Sequence, residues 1–346
     1  KRLWNAGCGS CRSPPWTPSA SVWIRNCWRG SLGELAVKEG DRRIVCLMGP
    51  TAAGKTAAAM AVADQLPVAL VSVDSAQVYR NMDIGTGKPD AATLASYPHA
   101  LIDIREPEQP YSAAQFASDA RGAVEAAWAA DKIPLLVGGT GLYYRALLQG
   151  LAKMPAADPA LRAQLEESAR RDGWRHMHTR LAALDPASAA RLHPNDSQRI
   201  QRALEVCILT GRPLSELTIQ ETDGLAVPTL KLVVTPAGRA DLHARIEERF
   251  REMLTQGLVE EVLALRKRRG LSLALPSMRS VGYRQTWECL DGEFEYEELW
   301  ERGVIATRQL ARRQLTWLRA ESDTVWFDSL ESSPVDSILR TISGFL

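Results

Sequence analysis

The stretch Gly49-Pro50-Thr51-Ala52-Ala53-Gly54-Lys55-Thr56 constrains this chain more than any other. An apolar run, Ile44–Met48, leads into it, and the alanine-rich segment from Gly54 to Gln65 reads as a helix leaving it. The spacing is G-x-x-x-x-G-K-[ST], in the strand–loop–helix setting that the motif needs. Glycines let the backbone close around an anion, successive N–H groups point inward, and the helix N-terminus adds partial positive charge. Lys55 supplies a formal charge, and the Thr56 hydroxyl suits a Mg²⁺ ion bound to a polyphosphate.

Such a start commits the fold to a parallel sheet. Val68–Val73 is a second strand, apolar except for Ser72, as a strand buried on both faces should be. A helix over Ala113–Ala130 and a strand over Pro134–Val137 continue the alternation, which predicts an α/β, P-loop NTPase-like core with right-handed crossovers. Strand signals then vanish between 151 and 227. Helices are expected at Asp158–Arg171, at Trp174–Leu184, and from the caps Asn195, Asp196 and Ser197 to Thr210, stopping at Gly211. Leu230–Thr235 reads as a returning strand, followed by long helices at Asp241–Arg269 and Tyr296–Arg319. The organisation expected is thus a first core part (41–150), an all-helical insertion (151–227) and a core completion (228–346). Residues 1–40, rich in Trp, Ser, Pro and Arg and without acid before Glu34, read as a poorly ordered extension.

Bulk properties exclude little. With 45% hydrophobic and 24% charged residues the composition is ordinary for a soluble protein, and no apolar run approaches the ~20 residues of a membrane span. The net charge of +1 means that a nucleic-acid partner would have to be met by local patches. Neither the six cysteines nor the five histidines show a zinc-site spacing, and the cysteines read as free thiols of a reducing cytosol.

Ligands of open α/β sheets bind beyond the carboxyl ends of the strands. Asp74, after the second strand, and Thr140, in Gly138-Gly139-Thr140, should therefore face the loop at 49–56. One acid and one hydroxyl around a polyphosphate suit group transfer better than hydrolysis. No second carboxylate ends the strand at 134–137, where a nucleotide hydrolase would hold Mg²⁺.

Seven motifs in one order resemble the tRNA dimethylallyltransferases, also called tRNA isopentenyltransferases. They are G-P-T-A-A-G-K-T (49–56), S-V-D-S-A-Q-V-Y (72–79), M-D-I-G-T-G-K-P (82–89), P-L-L-V-G-G-T-G-L-Y (134–143), H-P-N-D-S-Q-R-I-Q-R (193–202), S-V-G-Y-R-Q (280–285) and R-Q-L-A-R-R-Q-L-T-W-L-R (308–319). The likeness runs from about 42 to 327. It implies that the P-loop holds the diphosphate of dimethylallyl diphosphate, with Mg²⁺ at Thr56, and that an anticodon-loop adenine enters a channel from the other side. By resemblance, Asp74 is the general base on the exocyclic amine. Thr140, Lys55 and Arg249 hold the diphosphate that leaves. Contacts to tRNA are implied for Asp74, Ser75, Ala76 and Gln77; for Gln198, Arg199, Ile200, Gln201 and Arg202; for Arg279, Ser280, Val281, Gly282, Tyr283 and Arg284; and for Arg312, Arg313, Gln314, Leu315, Thr316, Trp317, Leu318 and Arg319. The absence of a C-terminal zinc-finger pattern matches the bacterial type, a cytoplasmic enzyme. A monomer is expected, because no heptad pattern stands out.

Helical periodicity alone places Arg308, Arg312 and Arg319 within about 40° of one another, with Arg313 flanking and Trp317 opposite. Without the resemblance, such a stripe is more often a solvated face. Three rivals share the P-loop: a nucleoside or small-molecule kinase, a prenyltransferase of free adenine nucleotides, and a non-catalytic RNA-binding protein.

Overall fold

A computed structural model describes residues 42–152, 154–218 and 223–346, so the expectation for residues 1–40 lies outside the described residues. Six strands form one wholly parallel sheet: β1 (Ile44–Met48), β2 (Val68–Val73), β3 (His99–Ala100), β4 (Ile133–Gly138), β5 (Thr229–Thr235) and β6 (Thr324–Asp328), in the order β3-β2-β4-β1-β5-β6. β1 is fully buried, and its side chains alternate between two cores. Ile44, Cys46 and Met48 join Val71, Leu136 and Phe116 on one face, whereas Val45 and Leu47 join Leu70, Leu135 and Leu232 on the other.

The second face is covered by α1 (Lys55–Ala63) and by the last helix, α14 (Pro334–Phe345), through buried Ile338 and Ile342. Neither β6 nor α14 was read from the sequence; β6 is a half-exposed edge strand whose apolar run, Val325-Trp326-Phe327, is only three residues long. The first face carries α3 (Ala113–Ala129) and α4 (Gly141–Leu148), while the short α2 (Ala91–Ser96) buries no residue. A full capping box between Ser112 and Gln115 starts α3.

Between the sheet's two halves of sequence come α5 (Pro159–Asp172), α6 (Trp174–Leu184), α7 (Pro186–Arg191), α8 (Ser197–Thr210) and α9 (Leu214–Leu217). They bury a separate cluster that includes Leu165, Met177, Leu181, Ile200 and Leu204. Three of the five starts carry an aspartate cap: Asp158 accepts from Leu161 N–H, Asp185 from Ser188 N–H, and Asp196 from Arg199 N–H.

The expected single helix over 241–269 is two. Gly257, at φ +103°, ends α10 (Arg239–Gln256) and starts α11 (Leu258–Arg266) in a new direction. A helix-compatible pattern on both sides hid the break. α12 (Tyr283–Leu290) and the 22-residue α13 (Leu299–Ala320) complete the core side. Among the described residues no helix is long and apolar enough to cross a membrane.

Candidate active site

Sheet register brings three loops together. Met48 pairs with Gly138, and Gly138 with Val73, so the segments after β1, β4 and β2 leave the same edge side by side. They line a cavity of about 650 Å³ whose wall includes Thr51, Lys55, Thr56, Asp74, Thr140 and Arg249. All four residues expected to act on the reacting groups thus share one space.

The P-loop is braced from outside. Ala52 and Gly54 take left-handed conformations, φ +61° and +93°, which curl the loop before α1. Arg245 Nε donates to Ala52 O at 2.9 Å, and Lys55 Nζ to Pro50 O at 2.7 Å. Gln314, from α13, accepts from Thr51 N–H at 2.8 Å and donates to Gly139 O at 3.1 Å, tying the loop to the end of β4. Both ends of the Gln314 amide are therefore engaged within the protein, a role that the sequence did not disclose.

Asp74 caps its own turn. Its Oδ1 accepts from Ala76 N–H at 2.8 Å and from Gln77 N–H at 3.2 Å, which fixes the carboxylate and leaves Oδ2 for another donor. Thr140 Oγ1 accepts from Ser75 N–H at 3.2 Å, so the two loops lock together.

Positive charge in the cavity is not neutralised by ion pairs. Neither Lys55, Arg245 nor Arg249 takes part in an ion pair among the described residues. Burial, and then the nearby Arg249, push the Lys55 ammonium down to about 8, with Asp74 acting in the opposite direction. Burial likewise lowers Arg249, again opposed by Asp74. A cavity whose buried cations have no ion-pair partner among the described residues, and only Asp74 as a nearby opposing charge, favours an anion.

Arg249 rests on the turn 83–87. Its Nη2 donates to Thr86 O at 3.4 Å, and a Cβ on Gly87 would come within 1.8 Å of that nitrogen. Gln77 Nε2 reaches Thr86 O and Gly87 O at 3.5 and 3.4 Å. Lys88 Nζ, 2% exposed, pins the same turn to Tyr79 O, Asp83 and Asp103. The glycines of Met82–Pro89 were the sequence signal for this wall.

The residues expected at the RNA divide into two groups. Ser75, Gln198, Arg199, Arg279, Arg284, Arg312, Arg313, Thr316 and Arg319 are exposed, while Ala76, Ser280, Val281, Leu315 and Trp317 are half-buried. Ser75, Ala76, Gln77, Arg279, Ser280, Val281, Arg313, Gln314 and Trp317 border the cavity. Ile200, Tyr283 and Leu318 are fully buried, and Gly282 is buried beside Tyr283. Ile200 belongs to the core of the helical insertion, and Leu318 and Tyr283 belong to the main core, so these side chains are packing residues. Gln201 donates to Arg162 O and Glu166, and Arg202 pairs with buried Glu205 and Pro155 O. The arginine stripe is also shorter than helical spacing implies, since Arg308 turns inward to an ion pair with Glu247. Trp317, opposite, packs on Gly141 and lies 6.0 Å from the Tyr144 ring.

Comparison with known proteins decides the family. The model described as IPP transferase matches residues 77–321, more than half of the chain. The chain belongs to this family. Among IPP transferase relatives, the tRNA dimethylallyltransferase of Dechloromonas aromatica (strain RCB) is 55% identical over 304 residues, 87% of this chain and 96% of that protein. That of Alkalilimnicola ehrlichii (strain ATCC BAA-1101 / DSM 17681 / MLHE-1) is 57% identical over 308 residues, covering 89% and 96%. The crystal structure of the full-length tRNA isopentenylpyrophosphate transferase from Bacillus halodurans superposes with a TM-score of 0.64 at 33% identity, over 88% of this chain and 96% of that one.

Proposed function

We propose that this protein transfers the dimethylallyl group of dimethylallyl diphosphate to the exocyclic amine of an adenine beside the anticodon of tRNA. The products are N6-isopentenyladenosine and diphosphate. The observation that carries this reading is the single cavity in which an anion cradle with unpaired cations faces one carboxylate, Asp74.

The amine of adenine is a weak nucleophile, because its lone pair is delocalised into the ring. As its nitrogen bonds to the allylic carbon, the carbon–oxygen bond to the diphosphate breaks and the N–H proton passes to Asp74 Oδ2. Such general-base help contributes roughly 10²–10⁴-fold. The Ala76 and Gln77 amides on Oδ1 keep the other oxygen aimed at the amine. Negative charge grows on the departing diphosphate, where Lys55, Arg249, the Thr140 hydroxyl and the P-loop amides bind it more tightly than in the ground state.

The residues present fit a divalent cation held through phosphate. The Thr56 hydroxyl lines the cavity at the start of α1, and among the described residues no cluster of three acidic, His or Cys side chains could hold a metal alone. Mg²⁺ bound at Thr56 would supply charge neutralisation to the leaving group.

A base cannot react inside its stack, so the adenine must be flipped out, at a cost of a few kcal/mol. The exposed arginines 199, 279, 284, 312, 313 and 319 would offset part of that cost by binding the loop backbone. The helical insertion, 151–227, would serve as an arm along the stem-loop. Work on tRNA by a monomer in the cytoplasm completes the proposal.

The test offers labelled dimethylallyl diphosphate and Mg²⁺ to the protein with unmodified tRNA, AMP or ATP. Label on tRNA alone is expected. Label on AMP, or phosphoryl transfer from ATP without prenylation, would overturn the assignment.

A further inference from the structure

Glu261, in the first turn of α11, holds more of the site's framework than any residue singled out in the sequence. Its Oε2 accepts from Asp83 N–H at 3.0 Å and from Ile84 N–H at 2.9 Å. Its Oε1 accepts from Gly85 N–H at 3.4 Å and from the Tyr283 hydroxyl. One carboxylate thus gathers three successive amides of the turn 83–87 and the first residue of α12. A neutral amide could not do the same, since three of the partners are backbone N–H groups that only donate, and they are spread over both oxygens.

What rests on that turn gives the contact its consequence. Arg249 lies against Gly87 and donates to Thr86 O, and Gln77 reaches the carbonyls of Thr86 and Gly87. The Tyr283 ring lies against Gly85, where a Cβ would come within 2.5 Å of it. The kink at Gly257 makes this possible: α10 brings Arg249 to one side of the turn, and α11 returns Glu261 to its amides. Segment 279–281, which borders the cavity, leads through Gly282 into Tyr283.

We propose that Glu261 is a positioning residue that holds the Arg249 wall of the cavity and its 279–281 rim in one fixed geometry. It touches no reacting atom and acts through the turn 83–87 and Tyr283. This inference rests on the role proposed above for Arg249.

A double-mutant cycle tests it. Glu261→Gln keeps size but presents an amide nitrogen either to the Asp83 and Ile84 N–H groups or to the Gly85 N–H, so at least one backbone contact is lost in either orientation, while the Tyr283 hydroxyl can turn to accept. Binding of inorganic pyrophosphate with Mg²⁺, measured by calorimetry, should weaken on the order of 10-fold in Glu261→Gln and in Arg249→Ala. It should weaken no further in the double variant than in Arg249→Ala alone. Losses that multiply would overturn the proposal, as would unchanged binding in Glu261→Gln. Because this cycle needs neither RNA nor turnover, the transfer assay can fail while the cycle succeeds, and the reverse.

Tyr283→Phe removes only the hydroxyl bond and is the second variant, should Glu261→Gln fail to fold. It should raise KM for tRNA several-fold and leave pyrophosphate binding unchanged. Loss of pyrophosphate binding, or an unaltered KM for tRNA, would refute the rim half of the proposal.

Discussion

Buried charge is treated in opposite ways in the cavity and in the helical insertion. In the insertion, Glu205 is fully buried and saturated: Asp158 N–H at 2.8 Å, two contacts from Arg162 at 2.9 Å and Arg202 at 2.6 Å. Burial raises its carboxyl, but these partners outweigh burial and the net shift is downward. Asp185, also fully buried, accepts from Ser188 N–H and from the Ser215 amide and hydroxyl. In the cavity, by contrast, the hydrogen bonds of Lys55 and Arg249 among the described residues go to carbonyl oxygens, and those of Asp74 to one of its two oxygens. The insertion's charges are paired by the fold, while the cations of the cavity have no ion-pair partner among the described residues. The first arrangement favours stability, and the second sacrifices some stability for binding.

The contrast breaks most sharply at Asp74. Asp74→Ala should lower kcat by about 10²–10⁴-fold and leave pyrophosphate and tRNA affinity near wild type. A variant that turned over normally would dismiss Asp74 as the base.

Lys55 sharpens the comparison through pH. Its ammonium value in the free protein is about 8, and a bound diphosphate favours the charged form. Pyrophosphate affinity should therefore hold below about pH 8 and decline above it, by up to about tenfold per pH unit. Lys55→Met should abolish both the binding and its pH dependence. The folded-state value lies below the usual lysine value, so the charged lysine destabilises the empty protein at neutral pH. Lys55→Met should accordingly raise its melting temperature. A fall would show that the cavity's charge is already compensated.

The insertion should respond in stability. Glu205→Ala strands Arg162, Arg202 and the Asp158 amide, and should cost about 1–3 kcal/mol in denaturant unfolding. For Asp185, burial raises the carboxyl, but the bonds from Ser188 and Ser215 outweigh it and bring the group down to about 2. Its ionised form is therefore favoured in the folded state. That contributes about 2 kcal/mol above the ordinary carboxylate value, lost as pH falls from about 4 to 2. Asp185→Asn should flatten that acid limb.

The smallest effect belongs to the exposed arginines. Arg312→Ala should weaken tRNA binding a few-fold and reduce the slope of log K against log salt by roughly one unit or less. Pyrophosphate binding should be unaffected. An equal loss at every salt concentration would argue against a phosphate contact.

Legibility followed how local each signal was. The P-loop, β1, β2 and the cap of α8 could be read because each is written in consecutive residues. β6 and the inward turn of Arg308 could not, because their causes lie in distant partners, β5 and Glu247, and the break at Gly257, though local, was masked by the helix-compatible pattern on both sides. The segments expected at the RNA mixed exposed arginines with packing residues for the same reason. Helical spacing assigns an angle around an axis, and only neighbouring elements decide which angle is buried.

The sequence alone determined the chemistry available: an anion cradle with Lys55 and Thr56, an acid at Asp74, a hydroxyl at Thr140. It also set the parallel strands whose ends present them, since strand–loop–helix alternation is a local pattern. Tertiary structure decided where that chemistry points. Sheet order places the ends of β1, β2 and β4 side by side, and the kink at Gly257 lets Arg249 and Glu261 meet one turn from two directions. Gln314, Glu247 and Glu205 receive their partners across tens to hundreds of residues. Contacts over such separations come from packing of the whole chain, and no short window of sequence contains them.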